Sequence, residues 1–180
     1  MRHLRSTPLR SDDVTDARSR SRRLARAVAL IALLGGAGLG GAPAQAMQCS
    51  VQASGVEFGV YDPFSPAPTD SVGTLTVSCD GPAGTAVAFA IRIGTGGSGV
   101  YGPRTMRDGT TWQLGYNLYT SASRTLVWGD GTGASSAITD GFALSGRRMT
   151  RSYPVYGRIP ARQNVAPGRY VDSLVVTLEY

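Results

Sequence analysis

The sequence predicts an all-β sandwich formed by a single domain. After residue 46 no stretch keeps apolar residues at helical spacing, and short runs alternate apolar with polar instead. These runs are bounded by Gly, Pro, Asp and Ser, the residues that end strands and make turns. The 134 residues from Met47 to Tyr180 contain no linker and no internal repeat, and they suffice for one domain with its own core.

The segment before them reads differently. Eight arginines (Arg2, Arg5, Arg10, Arg18, Arg20, Arg22, Arg23, Arg26) precede the apolar run AVALIALLGGAGLGGA, and Ala44-Gln45-Ala46 follows. A basic region, a short apolar region and an A-x-A site make a secretory signal over 1–46, with the mature domain at 47–180. The apolar run is short and glycine-rich for a membrane span. Arg22-Arg23 is a twin arginine, but Leu24-Ala25-Arg26 behind it matches a twin-arginine signal poorly, so export as an unfolded chain is expected. The signal also owns most of the charge. Ten of the 18 basic and nine of the 12 acidic residues lie after residue 46, so the net +6 of the whole chain falls to about +1. The basic pI therefore offers no argument for a nucleic-acid partner.

Along the mature chain the expected strands are 49–58, 73–79, 86–93, 112–120, 125–128, a run around 151–159, and 170–180. The run at 125–128 is short, and 136–146 (SAITDGFALSG) remains undecided between strand and loop. Asp62-Pro63, Asp80-Gly81-Pro82, Asp108-Gly109, Gly129-Asp130-Gly131 and Ala166-Pro167-Gly168 supply the turns. In the last run Leu174, Val176, Leu178 and Tyr180 share one face, and Ser173, Val175, Thr177 and Glu179 share the other. A one-residue slip would exchange the two faces. Two cysteines, Cys49 and Cys79, in an exported chain imply a disulfide between the first two strands; closing that loop stabilises the fold by roughly 3–4 kcal/mol.

Much chemistry is excluded. The one histidine, His3, lies in the signal, and all 18 basic residues are arginines. A chain without mature His or Lys has no Ser-His-Asp triad, histidine base, Schiff base or Walker lysine, so no enzyme, metal or cofactor is expected. Gly94-x-Gly96-x-x-Gly99 follows a strand, as a dinucleotide fingerprint should, but Gly102-Pro103 precludes the helix that must come next, and a loop is expected. Gly129-Asp130-Gly131 lacks both a phosphate-loop Lys and a calcium loop's alternating carboxylates. It reads as a tight turn with Trp128 packed beneath. Trp112, Tyr116, Tyr119, Trp128, Tyr153 and Tyr156 are read as core and strand-pair packing ahead of a sugar or protein site.

Together these residues resemble the spore coat protein U domain family. The likeness begins at Cys49, Phe58-Gly59-Val60-Tyr61-Asp62-Pro63 and Gly73 to Cys79. It continues through Arg104-Thr105-Met106, Leu114 to Tyr119 and Trp128 to Gly131, and closes at Tyr156 to Ile159 and Gly168 to Thr177. That family includes subunits of archaic-type chaperone–usher pili and secreted coat proteins. The resemblance implies an immunoglobulin-like, pilin-type sandwich lacking its last strand. It also implies a groove beside the C-terminal strand, with Leu174, Val176, Leu178 and Tyr180 lining it. A periplasmic chaperone, and then a strand from a neighbouring subunit delivered by an outer-membrane usher, would fill the groove. The implied protein is an extracellular or cell-surface structural subunit of a fibre or coat, with no nucleic-acid or small-molecule partner. Cleavage after Ala46 leaves only Met47-Gln48 ahead of Cys49 to serve as a donor, which suits a terminal subunit. The competing expectation is a tip adhesin that contacts sugar or surfaces through aromatic residues clustered on loops.

Overall fold

The computed structural model describes residues 46–180, and the export signal expected over 1–46 lies outside them but for Ala46. The alternating runs form ten strands and, among the described residues, no α-helix. In chain order these are β1 (Gln48–Ser54), β2 (Thr69–Asp80), β3 (Ala86–Ile93), β4 (Arg104–Arg107), β5 (Gln113–Tyr119), β6 (Val127–Trp128), β7 (Ser135–Ser136), β8 (Ile138–Ala143), β9 (Arg148–Ile159) and β10 (Val176–Glu179). One sheet runs β1-β2-β9-β5-β6-β7 with β4 laid against β5, and the second runs β10-β3-β8. All pairings are antiparallel except that of β6 with β7.

Strand alternation decides what lies between the sheets. Leu75, Val77 and Cys79 of β2 are buried, as are Tyr153, Val155 and Ile159 of β9 and Leu114, Tyr116 and Leu118 of β5. From the other sheet come Val87, Phe89, Ile91 and Ile93 of β3 and Phe142 of β8. Full burial of each such side chain contributes about 1.5–3 kcal/mol. The layers interlock through rings: Phe89 meets Phe142 edge-on at 5.5 Å and Tyr153, across the sandwich, at 6.2 Å. Trp128 is fully buried, and its Nε1–H donates to the Ile91 carbonyl at 3.0 Å. Cys49 and Cys79 are direct partners in the β1–β2 ladder and are disulfide-bonded.

Strand 86–93 forms as the sequence predicts, and other boundaries move for identifiable reasons. β2 and β9 are longer than the alternating runs because ion pairs close both ends of their ladder. Arg158 binds Asp70 through two hydrogen bonds of 2.7 and 2.8 Å, and Arg148 binds Asp80 through bonds of 2.7 and 3.1 Å. β4 escapes a hydrophobic pattern because one of its two buried positions is Arg104. The undecided stretch at 136–146 contains β8, whose Phe142 is buried. β1 ends at Ser54, short of the expected 58, because Val56 and Phe58 turn inward over two glycines. A Cβ at Gly157 would lie 2.6 Å from Val56 Cγ1 and 2.7 Å from Phe58 Cζ, and one at Gly73 would lie 2.8 Å from Val56 Cγ2. The final run, expected over 170–180, pairs as a strand only at Val176–Glu179; ahead of it Val171 makes an isolated bridge with Arg107.

Candidate functional site

β10 lies at the edge of the smaller sheet, paired with β3 on one side and, among the described residues, with no strand on the other. Its register places Val176 opposite Ile93 and Leu178 opposite Ile91. The Gly94 N–H donates to the Val175 carbonyl at 2.8 Å. In an antiparallel ladder hydrogen bonding alternates, so the odd positions 175, 177 and 179 bond to β3. The N–H and C=O groups of Val176 and Leu178 therefore point to the unpaired side. The side chains of these same residues turn toward the core: Leu174, Val176 and Leu178 are half-buried, whereas Val175 is 72% exposed.

Beside this edge runs a cleft. A cavity of about 210 Å³ has Leu174, Val176 and Asp172 on one wall and Ala53 to Val56 with Phe58 on the other. Leu75, Ile93, Tyr116, Leu118 and Val155 contribute its floor. A second cavity of about 640 Å³ adjoins it, sharing Val56 and Phe58 and lined further by Met106, Leu114, Ile159, Val165 and Tyr170. The Phe58 ring stands edge-on to Tyr116 at 5.9 Å. The cleft is thus an apolar seam between the chain leaving β1 and the chain entering β10.

Of the four groove residues expected from the sequence, Leu174 and Val176 line the cavity. Leu178 shares their face and packs on the core without lining the cavity. Tyr180 lies beyond the end of β10 and is 54% exposed. The opposite wall, Val56 and Phe58, lies outside the groove that the sequence predicts, because its alternation reads as a continuation of the first strand. Asp172 and Tyr116 lie outside it too. The signal for Asp172 is its place in the period-2 row Asp172, Leu174, Val176, Leu178.

The polar end of the cleft is held rigidly. Asp172 Oδ2 accepts from the Tyr116 hydroxyl at 2.8 Å, and Oδ1 accepts from Gly97 N–H at 3.0 Å and Ser173 N–H at 2.9 Å. Burial, followed by the bond to Asp172, pushes the Tyr116 phenol well above its ordinary value. The glycine run 94–99 forms this anchor, with a short 3-10 turn at Gly96–Ser98 in place of a cofactor loop. Gly96 has φ +66°, and a side chain there would collide with the Asp172 carboxylate. Nearby, Arg104 is fully buried. It donates to the carbonyls of Gly94 (3.0 Å), Ile93 (3.3 Å) and Trp128 (2.7 Å) and to Asn117 Oδ1 (2.7 Å), and it stacks over Tyr101 at 5.1 Å.

A family model, Spore Coat Protein U domain, matches residues 39–177. The chain belongs to that family. Protein U of Myxococcus xanthus is 30% identical over an alignment 140 residues long, which covers 69% of this chain and 71% of that protein. One solved structure is the CsuC–CsuE chaperone–tip adhesion subunit pre-assembly complex from archaic chaperone–usher Csu pili of Acinetobacter baumannii. A chain of that complex is similar with a TM-score of 0.49 and 19% identity, and the match spans 75% of this chain and 40% of that one. In this spore coat protein U domain the separated stretches that carry the resemblance converge. Arg104, Asn117 and Trp128 form one buried hydrogen-bonded cluster, and Asp172 closes on Tyr116.

The aromatic residues divide by burial. Tyr116, Trp128 and Tyr153 are core, Tyr119 and Tyr156 are half-buried, and Trp112 is 42% exposed. Among the described residues, the most exposed large apolar side chains are Val60 (93%) and Phe64 (90%), on the loop between β1 and β2. That loop is fixed by Tyr61, whose hydroxyl donates to the Pro160 carbonyl at 3.0 Å and accepts from Gln163 N–H at 2.7 Å.

Proposed function

We propose that this protein is an exported, non-enzymatic structural subunit of a surface fibre or coat that receives a β-strand from a partner. The observation that carries this reading is β10, an edge strand whose outward-pointing backbone groups border an apolar cleft. An added strand would pair with Val176 and Leu178 and place every second side chain in the cleft, by the mode known as β-strand addition. Four or five apolar side chains entering would gain on the order of 6–15 kcal/mol before ordering costs. Left open, such an edge templates aggregation, which gives a periplasmic chaperone its role as first occupant and a neighbouring subunit, delivered by an usher, its role as second. Removal of residues 1–46 on export would leave two residues before Cys49, and a subunit that receives a strand without giving one belongs at a fibre end.

The second reading, a module that adheres through its loops, is favoured by the solvent-exposed Val60 and Phe64 on an anchored loop. The burial of Tyr116, Trp128 and Tyr153 in the core favours the structural role.

Co-expression with a periplasmic chaperone tests the acceptor reading. Wild type and Val175→Asp should each gain soluble protein when the chaperone is present, because Val175 faces solvent. Val176→Asp should stay aggregated or degraded with or without it, because a charge stands where a desolvated apolar contact forms. Equal solubility of all three without a chaperone would contradict the proposal.

A further inference from the structure

The inward row of the last segment does not begin with an apolar residue. It reads Asp172, Leu174, Val176, Leu178, all half-buried on one face, and Asp172 lines the cavity with Leu174 and Val176. Resting on the acceptor reading above, we propose that Asp172 is the specificity-determining residue of the groove, and that the strand the groove receives carries a basic residue opposite it, followed by apolar residues at alternate positions.

Three observations support this inference. First, Asp172 has no ion-pair partner of its own among the described residues. Its hydrogen-bond donors, the Tyr116 hydroxyl and two backbone N–H groups, are neutral, and none of the five ion pairs among the described residues includes it. Asp70, Asp80, Asp140 and Glu179 each have an arginine. The nearby Arg104 turns its guanidinium to three carbonyls and Asn117. Second, the carboxylate is fixed. Gly97 N–H and Tyr116 hold its two oxygens, and the carboxylate occupies the space that a side chain on Gly96 would need. Third, the remainder of the groove is apolar and repeats every two residues. An alternating apolar strand docks almost equally well after a two-residue slip, and a single charged position removes that degeneracy.

An apolar strand entering over Asp172 would strip water from an unpaired carboxylate, which is costly. A lysine or arginine there forms a charge-assisted hydrogen bond in the same space. An acidic residue meets like charge.

The test uses the purified protein and three synthetic peptides of about ten residues. All carry valine and leucine at alternate positions and differ only in having Lys, Ser or Glu at both terminal inward positions, so that either strand direction sets one of them over Asp172. Fluorescence anisotropy at low salt should rank affinities Lys over Ser over Glu, with at least a tenfold gap (about 1.4 kcal/mol) between the extremes. In wild type alone that gap should narrow as salt rises, because charge pairing is screened and apolar docking is not. Asp172→Asn, with its fold checked by circular dichroism, should bind all three within about twofold. Equal affinities in wild type would overturn the inference and leave the groove reading standing. An unchanged ranking in Asp172→Asn would overturn it too, because the preference would then come from another residue. Absence of binding by every peptide would defeat the acceptor reading itself, and this inference with it.

Discussion

Arg104 ties together four separate pieces of chain. It lies in β4, and its donors tie the end of β3 at Ile93 and Gly94 to Asn117 of β5 and Trp128 of β6. Replacing it with Lys puts one point charge where a planar fork served four acceptors. The variant should lose about 3 kcal/mol or more of unfolding free energy, read from the denaturant midpoint. A loss under ~0.5 kcal/mol would show that water replaces the guanidinium freely. By contrast, Glu179→Gln removes only the 3.0 Å surface pair with Arg92 and should cost under ~1 kcal/mol. Sequence alone marked Arg104 as part of a family signature but gave no reason for it. An arginine at an inward strand position breaks the apolar pattern, and its partners are backbone carbonyls far apart in the chain. Asp172 was hidden for the same reason, since its role depends on Gly97 and Tyr116 meeting it in space.

At the scale of elements, alternation located most strands and the inward face of the last one, because one side of each sheet meets a core. It failed at 55–58. Val56 and Phe58 continue the alternation of β1, yet they leave its sheet to lie over Gly73 and Gly157, a contact that depends on glycines far along the chain. Gly157→Ala tests that placement. The added methyl would lie within 3 Å of both Val56 and Phe58, so their side chains must shift from their places on the cleft wall. The expected loss is about 1–3 kcal/mol, measured by thermal or denaturant unfolding, with weakened strand capture. Unchanged stability and capture would show that the segment is not a wall of the groove. The shortening of the last strand to Val176–Glu179 has a local cause: Asp172 is held by a loop and a tyrosine instead of a strand partner.

For the whole molecule, the two sheets are joined by a polar clasp as well as by rings. Asp140 of β8 accepts from the Tyr153 hydroxyl (2.7 Å) and Arg151 (2.6 Å) of β9. The Tyr153 bond first, then Arg151 and the Gly141 N–H, hold Asp140 down to about 2. Burial first, then the Asp140 bond, raises Tyr153 to about 12. A carboxyl depressed in the fold stabilises above its unfolded value near 4, and that stability is lost as pH falls toward 2. A phenol raised in the fold stabilises below about 10, and that stability is lost as pH climbs to 12. The described residues hold no histidine, so the denaturant midpoint should be nearly level from about pH 5 to 9 and decline on both sides. Asp140→Asn should flatten the acid limb. An acid limb of the same steepness in the variant would place the loss elsewhere.

The central claim is that β10 has an open side. Amide hydrogen exchange at Val176 and Leu178 measures this directly, in the protein alone and after a strand peptide is added. The account predicts fast exchange at both amides in the free protein, slow exchange at Thr177, which bonds to β3, and protection of Val176 and Leu178 once the peptide is bound. Val176 and Leu178 already as protected as Thr177 in the free protein, and unchanged by peptide, would mean that the edge is closed and that no strand is received there.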